Sequence, residues 1–109
     1  MGTEPSAHIF HIATGADWAA AQAVGEYRVS TLGRSLEQEG FLHASFAGQW
    51  QSVHDAFYAG VDEPLVLLEI DVGLLGVPVV VEAPPGSDEE FPHIYGALPV
   101  AAVVAVGPL

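Results

Sequence analysis

The sequence predicts a compact α+β domain with mixed, largely antiparallel β-sheets and two main helices. Alternating or β-rich runs, such as residues 8–13 and 65–71, are separated by segments whose apolar residues recur every three or four positions. The chain has 109 residues, half of them hydrophobic, and it has no long polar linker. That size and pattern indicate one domain over residues 1–109. We expect residues 1–7 to be a disordered N-terminus.

The N-terminal third is predicted to contain one strand and one helix. Residues 8–13 alternate as a strand does. Asp17 is a suitable N-cap for a helix that Gly25 ends. Residues 26–39 are mixed and polar, which predicts an irregular segment that could form a pocket wall.

A second strand and a second helix follow. Residues 40–45 return to a period of two, so that Phe41, His43 and Ser45 share one face of the strand. Apolar residues over positions 46–57 have helical spacing, with Ser45 as a possible cap and Gly60 as the end.

The C-terminal half is predicted to be mostly strand and loop. Residues 65–71 and 77–82 read as a buried pair of strands. Residues 84–90 have the prolines, glycine and acids of an exposed, mobile loop. Residues 91–96 are expected to be a connector rich in aromatic and polar groups. Residues 100–106 form an apolar strand that is too continuous for an edge exposed on both faces.

Charge and composition exclude several functions. Fourteen acidic residues oppose Arg28 and Arg34, with no lysine, giving a formal net charge of -12. Nucleic acids are bound mainly through clustered Lys and Arg, so we predict no nucleic-acid partner. No apolar run approaches the roughly 20 residues of a membrane span, and the N-terminus is unlike a secretory signal, which predicts a cytoplasmic protein without a membrane partner. The absence of cysteine excludes disulfides and thiolate chemistry.

Three histidines are candidates for chemistry: His11, His43 and His93. Histidine can serve as acid, base or ligand near neutral pH, although each of these could instead be hydrogen-bonded within the fold. No His-x-His or His-Glu-x-x-His spacing is present. A metal would need the three distant histidines to converge with Glu82, so we predict no metal site.

Glu82 and two tyrosines complete the candidate set. Glu82 ends an apolar strand, where a carboxylate is useful if it faces a cleft and otherwise is a solvated strand end. Tyr27 and Tyr95 lie beside glycine-bearing segments, where a ring can line a pocket, while Trp18 fits a helical packing face as a core or rim residue. The predicted ligand-binding residues are His11, Trp18, Tyr27, Ser30, Ser45, Gln49, Tyr95 and Gly96.

These residues fall in blocks that resemble the bacterial family known as domain of unknown function 952. The most specific blocks are Gly-Phe-Leu-His-x-Ser over residues 40–45 and Phe-Pro-His-Ile-Tyr-Gly over residues 91–96. The resemblance covers nearly the whole chain. It departs at Ala44, where cysteine is expected, and at Ala97, where proline is expected.

The resemblance implies a fold like that of the ADP-ribosyltransferase superfamily, which includes enzymes acting on NAD. On that analogy His11 or His43 would hold a ribose, and Tyr27 or Tyr95 would stack on a planar ring. Glu82 would stabilise an oxocarbenium-like centre. NAD is therefore a possible cofactor, with only the two arginines as cationic partners for its pyrophosphate.

Three functions follow from these observations. The leading hypothesis is a small-molecule enzyme with transferase-like chemistry on a nucleotide or NAD-like ligand, in which His43, His93 and Glu82 are catalytic. The alternative is a binding module, or a biosynthetic-pathway enzyme, for an apolar or aromatic metabolite, which the scarcity of cations favours. The third is an acidic protein-interaction domain. An enzyme or binder should present a concave pocket, whereas an interaction domain should have its histidines packed and satisfied. The oligomeric state is left open.

Overall fold

Ten strands and three helices alternate along residues 8–109, which are the residues that the computed structural model describes. The predicted disorder of residues 1–7 lies outside the described residues. The α+β class, with mixed antiparallel sheets, is confirmed. Within residues 8–109, no helix combines the length and the apolar character that a membrane span requires.

The first sheet has three antiparallel strands, with β6 (Leu65–Asp71) between β1 (His8–Thr14) and β10 (Val103–Pro108). Its inward faces form much of the core, because alternate residues of β1 and β6 are almost fully buried. The prediction of one strand over residues 100–106, and not as an edge exposed on both faces, is wrong in both parts. Residues 100–102 form a turn of 3-10 helix. Strand β10 is an edge strand, and its Val104 and Val106 side chains are exposed.

A second three-stranded sheet has β8 (Phe91–Ile94) between β5 (Leu42–His43) and β7 (Val79–Glu82). Two predictions fail here. Strands β6 and β7 do not pair, because each finds its partners in a different sheet. Residues 91–94 are the central strand of this sheet rather than a connector, although Pro92 and the aromatic residues gave them the composition of a loop.

The helices are α1 (Gly15–Val24), α2 (Leu36–Glu39) and α3 (Trp50–Phe57). Thr14, not Asp17, caps α1, since the Thr14 hydroxyl accepts a hydrogen bond from the Asp17 backbone N–H at 3.0 Å. The predicted end of α1 is right: Gly25 takes the left-handed conformation at φ 94 that glycine adopts without strain.

Helix α3 starts later than predicted. Residues 46–49 form a turn, and Ser45 is not the cap, because its backbone is engaged with strand β1 instead. The backbone N–H and carbonyl groups of Phe10 and Ser45 exchange two hydrogen bonds of 2.8 Å. This reciprocal pair joins the two three-stranded sheets.

Residues 26–39 are more regular than predicted. They contain β2 (Glu26–Tyr27), β3 (Val29–Thr31), β4 (Arg34–Ser35) and the single turn of α2. Strands β3 and β4 pair with each other, while β2 pairs with the last short strand before β10, β9 (Leu98–Pro99). Such two- and three-residue strands are too short to leave a periodic pattern in the sequence.

The main core lies between the sheets and α1. Its largest fully buried side chains include Tyr27, Leu42, Leu68, Ile70, Ile94 and Leu98. Trp18 packs in the same cluster from α1. A smaller cluster of Ile12, Tyr58 and Leu65 lies beneath α3, and Val53 packs against it.

Candidate functional site

A cleft of about 620 Å³ lies between α3, the joint of β1 with β5, and the loop of residues 84–90. One face of α3 forms its first wall. The lining residues of this face follow the i, i+3, i+4, i+7 spacing of a helix stripe, and they are Gln49, Ser52, Val53, Ala56 and Phe57. One face of the helix therefore lines the cleft as a continuous stripe, whose apolar members are Val53, Ala56 and Phe57.

The floor of the cleft is formed by β1 and β5. Phe10, His11 and Ile12 line it from β1, and His43 and Ser45 line it from the second sheet. These segments lie side by side because of the reciprocal backbone pair between the strands. The floor is thus a rigid part of the fold.

The loop that connects β7 to β8 forms the third wall, with Pro84, Pro85, Ser87, Glu89 and Phe91 as lining residues. The side-chain amide of Gln49 attaches this loop to the start of α3. Its nitrogen donates to the Glu89 carboxylate at 2.9 Å and to the Glu90 carbonyl at 2.8 Å. Its oxygen accepts from the Phe46 backbone N–H at 2.9 Å.

The charge of the cleft is one-sided. Among residues 8–109, Glu89 is the only carboxylate that lines it, and no Arg or Lys does. The two arginines of the chain are paired elsewhere on the surface: Arg28 with Glu26 and Glu37, and Arg34 with Glu39 at 2.7 Å. The walls are mostly apolar and aromatic, so the cleft suits a ligand without a large anionic group.

A second feature lies on the outer face of the β5–β8–β7 sheet. In its register His43 is opposite His93, and Glu82 is opposite Phe91. The core-facing residues Leu42 and Ile94 alternate with these, so the polar residues share the other face. Glu82, His93 and Tyr95 form what we call the Glu82 cluster.

The Glu82 carboxylate holds this cluster together. His93 Nδ1 donates to Glu82 Oε2 at 2.7 Å, and the Tyr95 hydroxyl donates to the same oxygen. The hydrogen bonds from Tyr95 and from His93 lower the pKa of Glu82, and the bond to Glu82 raises the pKa of Tyr95. The carboxylate therefore stays ionised, and His93 Nδ1 carries a proton.

His93 is almost fully buried, and its Nε2 atom has no hydrogen-bond partner among the described residues. The Phe41 ring stacks on the His93 ring with a centroid distance of 4.0 Å and an interplanar angle of 15°. Phe41 also contacts Tyr95 and His43, at centroid distances of 5.3 and 4.8 Å. A neutral His93 would thus hold an Nε2 lone pair beneath an aromatic cover.

His43 connects the cleft with the Glu82 cluster. His43 lines the cleft, and the centroid of its ring lies 5.4 Å from the centroid of the His93 ring. Its Nε2 donates to Glu39 Oε1 at 3.2 Å, and the other oxygen of Glu39 binds Arg34. Hydrogen bonds from His43 and from Arg34 lower the pKa of Glu39, which is ionised as a result.

His11 is buried beneath His43. A carbonyl can only accept, so His11 Nδ1 carries the proton and donates to the His43 carbonyl at 2.5 Å. His11 Nε2 then accepts from the Tyr27 hydroxyl at 3.0 Å. Burial lowers the pKa of His11 to about 4 and raises the pKa of Tyr27. His11 is neutral at pH 7, and both its nitrogens are satisfied.

The predicted site residues thus fall in three places. Four line the cleft: His11, His43, Ser45 and Gln49. Three form the Glu82 cluster and are not among the residues that line the cleft: Glu82, His93 and Tyr95. Four are packed within the fold: Trp18, Tyr27, Ser30 and Gly96.

The packed residues have structural partners. Ser30 is fully buried and donates to the Phe41 carbonyl at 2.6 Å. A side chain at Gly96 would place Cβ 2.7 Å from Val77 Cγ1, so glycine permits that close approach.

Sequence reasoning missed several residues of the site. Phe41 shares the face of His43 in the same motif, and that alternation already placed it there. The stripe on α3 could have been found by extending the helical spacing from Gln49. The pairing of Glu39 with His43 and the prolines of the third wall left no such signal. Among residues 8–109, no group of three or more His, Asp or Glu side chains has an arrangement that could hold a metal ion.

The fold and the geometry define the class of this protein. It is a small α+β domain with an apolar cleft beside a histidine–carboxylate cluster. Residues 12–106 match the model of the family described as "Protein of unknown function (DUF952)". The chain belongs to that family. A search of curated proteins finds no match.

Solved structures of one bacterial protein are similar to this chain. A crystal structure of protein CC0527 from Caulobacter crescentus is 32% identical, with a TM-score of 0.79, and the match covers 94% of this chain and 85% of that one. A crystal structure of its double mutant is 31% identical with the same TM-score and coverage. The solution NMR structure of CC0527 is 32% identical with a TM-score of 0.76, covering 94% of this chain and 84% of that one.

Proposed function

We propose that this protein binds a small, largely apolar or aromatic molecule in the cleft beside α3. The observation that carries the proposal is the cleft itself, about 620 Å³ in volume, with aromatic and aliphatic walls from three parts of the chain. Small-molecule sites are typically concave, about 300–1,000 Å³ in volume, and mainly apolar with a few polar groups. His43 and Ser45 on the floor provide such polar groups.

The histidines differ in exposure, and this difference argues against a purely structural role for all of them. His11 is fully satisfied within the fold, but the side chain of His43 is 39% exposed and lines the cleft. Aromatic residues also line it, and one of them, Phe57 at the end of α3, is 71% exposed. An aromatic ring held against solvent in this way gains stability when a ligand covers it.

An acid–base enzyme is the second candidate, and His93 is the observation that favours it. A histidine whose Nδ1 donates to a carboxylate and whose Nε2 is unpaired has the arrangement of a general base. In the transferase-like version, an ionised Glu82 would stabilise an oxocarbenium-like centre. The weakness of an NAD ligand is its pyrophosphate, since no Arg or Lys lines the cleft.

Ligand binding is tested by filling the cleft from an exposed helix position. Ala56 lines the cleft and is exposed, whereas Gln51 is exposed on the same helix but does not line it. We expect neutral aromatic compounds to shift backbone amide signals of cleft residues in NMR spectra of the native protein. Ala56→Trp should abolish these shifts, and Gln51→Trp should leave them. Equal binding by the two variants would overturn the proposal.

The enzyme candidate has its own assay. Native protein incubated with NAD should release nicotinamide if the transferase-like version is right, and Glu82→Gln should abolish that release. Glu63→Gln is the matched control, because Glu63 is an exposed carboxylate outside the cluster. No nicotinamide release by the native protein would remove the NAD version and leave ligand binding as the proposal.

A further inference from the structure

We propose that the ligand of the cleft is a cation, an ammonium compound with an aromatic or alkyl body. This inference rests on the proposed binding function and specifies the charge of the ligand. Three independent features of the cleft carry it: the one carboxylate among its described lining residues, its aromatic rings, and the engagement of most of its side-chain hydrogen-bond donors within the fold.

The carboxylate of Glu89 is the first feature. It lies on the third wall between Asp88 and Glu90, in a chain with a net charge of -12. Arg28 and Arg34 are held in ion pairs with glutamates and do not line the cleft. The local potential therefore attracts a cation and repels an anion, and the excess charge of the whole chain acts in the same direction.

The aromatic rings are the second feature. Phe10 lines the floor, Phe57 and Tyr58 line the helix side, and Phe91 lines the loop side. The faces of such rings carry negative charge density, so a cation among them gains a cation–π interaction that a neutral isostere lacks. Rings on several sides are the usual arrangement for recognising quaternary ammonium groups.

The third feature is that most side-chain donors of the cleft, although not the hydroxyls of Ser45 and Ser52, are already used. Both donating contacts of the Gln49 amide go to the loop, at Glu89 and Glu90. His11 has both nitrogens engaged, and the hydroxyls of Thr31 and Tyr58 bond each other at 3.1 Å. An anionic ligand needs several free donors, whereas a quaternary ammonium group needs none.

The test compares three phenols of similar shape that differ in charge. The cation is 3-hydroxyphenyltrimethylammonium, its neutral isostere is 3-tert-butylphenol, and the anion is 3-hydroxybenzenesulfonate. Binding to the native protein is measured by NMR titration at neutral pH. We expect the cation to bind at least about fivefold more tightly than the neutral compound, as one partly desolvated cation–π contact provides, and the sulfonate not to bind.

Two variants locate the effect. Glu89→Gln should reduce the preference for the cation over the neutral compound by a factor of about two to five, since it removes the carboxylate and keeps the shape of the side chain. Glu63→Gln makes the same charge change outside the cleft and should leave the preference unchanged.

Each outcome separates the charge of the ligand from the existence of the site. If the neutral phenol binds in the cleft as tightly as the cation or more tightly, the cation inference is wrong and the binding function stands. Tighter binding of the sulfonate overturns the inference in the same way. If none of the three perturbs residues of the cleft, the inference and the binding function both fail.

Discussion

The regions around His11 and His93 are alike in burial and differ in hydrogen bonding. Each ring is almost fully buried, and each donates from Nδ1, to the His43 carbonyl in one case and to the Glu82 carboxylate in the other. The Nε2 of His11 accepts from Tyr27, while the Nε2 of His93 has no partner in the described part of the chain. Of these two buried histidines, His93 is therefore the better candidate for a chemical role.

The partners explain the difference. His11 is held by a backbone carbonyl and a buried hydroxyl, neither of which can change its charge near neutral pH. His93 is held by a carboxylate that is partly exposed and shared with Tyr95. The first arrangement fixes the floor of the cleft, and the second leaves one buried ring nitrogen of His93 without a partner among the described residues.

Replacing each histidine by leucine should give the largest contrast. His11→Leu leaves the His43 carbonyl and the Tyr27 hydroxyl buried without partners, and we expect a loss of roughly 2–4 kcal/mol of unfolding free energy. His93→Leu should cost about 1 kcal/mol or less, because Glu82 can turn to water and no partner is left buried. Urea unfolding followed by circular dichroism measures both. Equal losses of unfolding free energy in the two variants would mean that the unpaired Nε2 of His93 does not change how much a buried histidine contributes to stability.

The low pKa of His11 should make stability depend on pH. Burial lowers this pKa from its ordinary 6.5 to about 4, so the unfolded chain binds a proton first as the pH falls. Stability is full above about pH 6.5 and is lost between there and pH 4, in total by about 3 kcal/mol, of which roughly 2 kcal/mol is lost by pH 5.

The His11→Leu variant provides the control for this pH dependence. Its unfolding free energy should fall less between pH 7 and pH 5 than that of the native protein, so the gap between the two proteins narrows in acid. Parallel curves for the two proteins would assign the acid sensitivity to other groups.

Removing the hydroxyls of Tyr27 and Tyr95 should also cost unequal amounts of stability, with the larger loss on the His11 side. The difference should be smaller than that between the two histidine variants. Tyr27→Phe leaves His11 Nε2 buried and unpaired, and we expect it to cost about 1–2 kcal/mol. Tyr95→Phe removes a hydroxyl from a side chain that is 38% exposed, and its cost should be within about 0.5 kcal/mol. Thermal unfolding of both variants measures the two losses of stability. A larger loss for Tyr95→Phe than for Tyr27→Phe would contradict the prediction.

The smallest expected effect is a local change in titration. Tyr95→Phe removes the hydrogen bond that contributes most to lowering the pKa of Glu82, so that pKa should rise. The Glu39 carboxyl, whose pKa is lowered by His43 and Arg34, is an internal reference that should not move. Carbon-13 NMR of the side-chain carboxyls measures both. An unchanged Glu82 would show that Tyr95 does not act on it.

The fold could be predicted from the sequence where an element is long enough to repeat its pattern. Strand β6 was predicted correctly for that reason, and the end of α1 was predicted correctly because Gly25 is a typical helix C-cap. Strand partners were not predictable, since β6 and β7 have similar composition and only tertiary packing assigns them to different sheets. The reading of residues 91–94 failed because loop-like composition outweighed a four-residue strand.

The site was predictable in its residues and less so in its arrangement. Alternation placed Phe41 and His43 on one face, and the register of the sheet then brings His93 beside them. That register depends on long-range pairing, which the sequence does not record locally. Trp18 and Tyr27 were expected at a ligand because aromatic rings serve both cores and pockets, and both are in the core.

The two backbone hydrogen bonds between Phe10 and Ser45 should make the floor of the cleft more rigid than its loop wall. The floor cannot widen unless the two sheets separate, so we expect the amide protons of Phe10 and Ser45 to exchange with solvent about as slowly as the core. The loop wall is attached to α3 through the side chain of Gln49, and its amides should exchange faster. Ligands of different width would then be accommodated by the loop alone, while the floor sets a fixed depth.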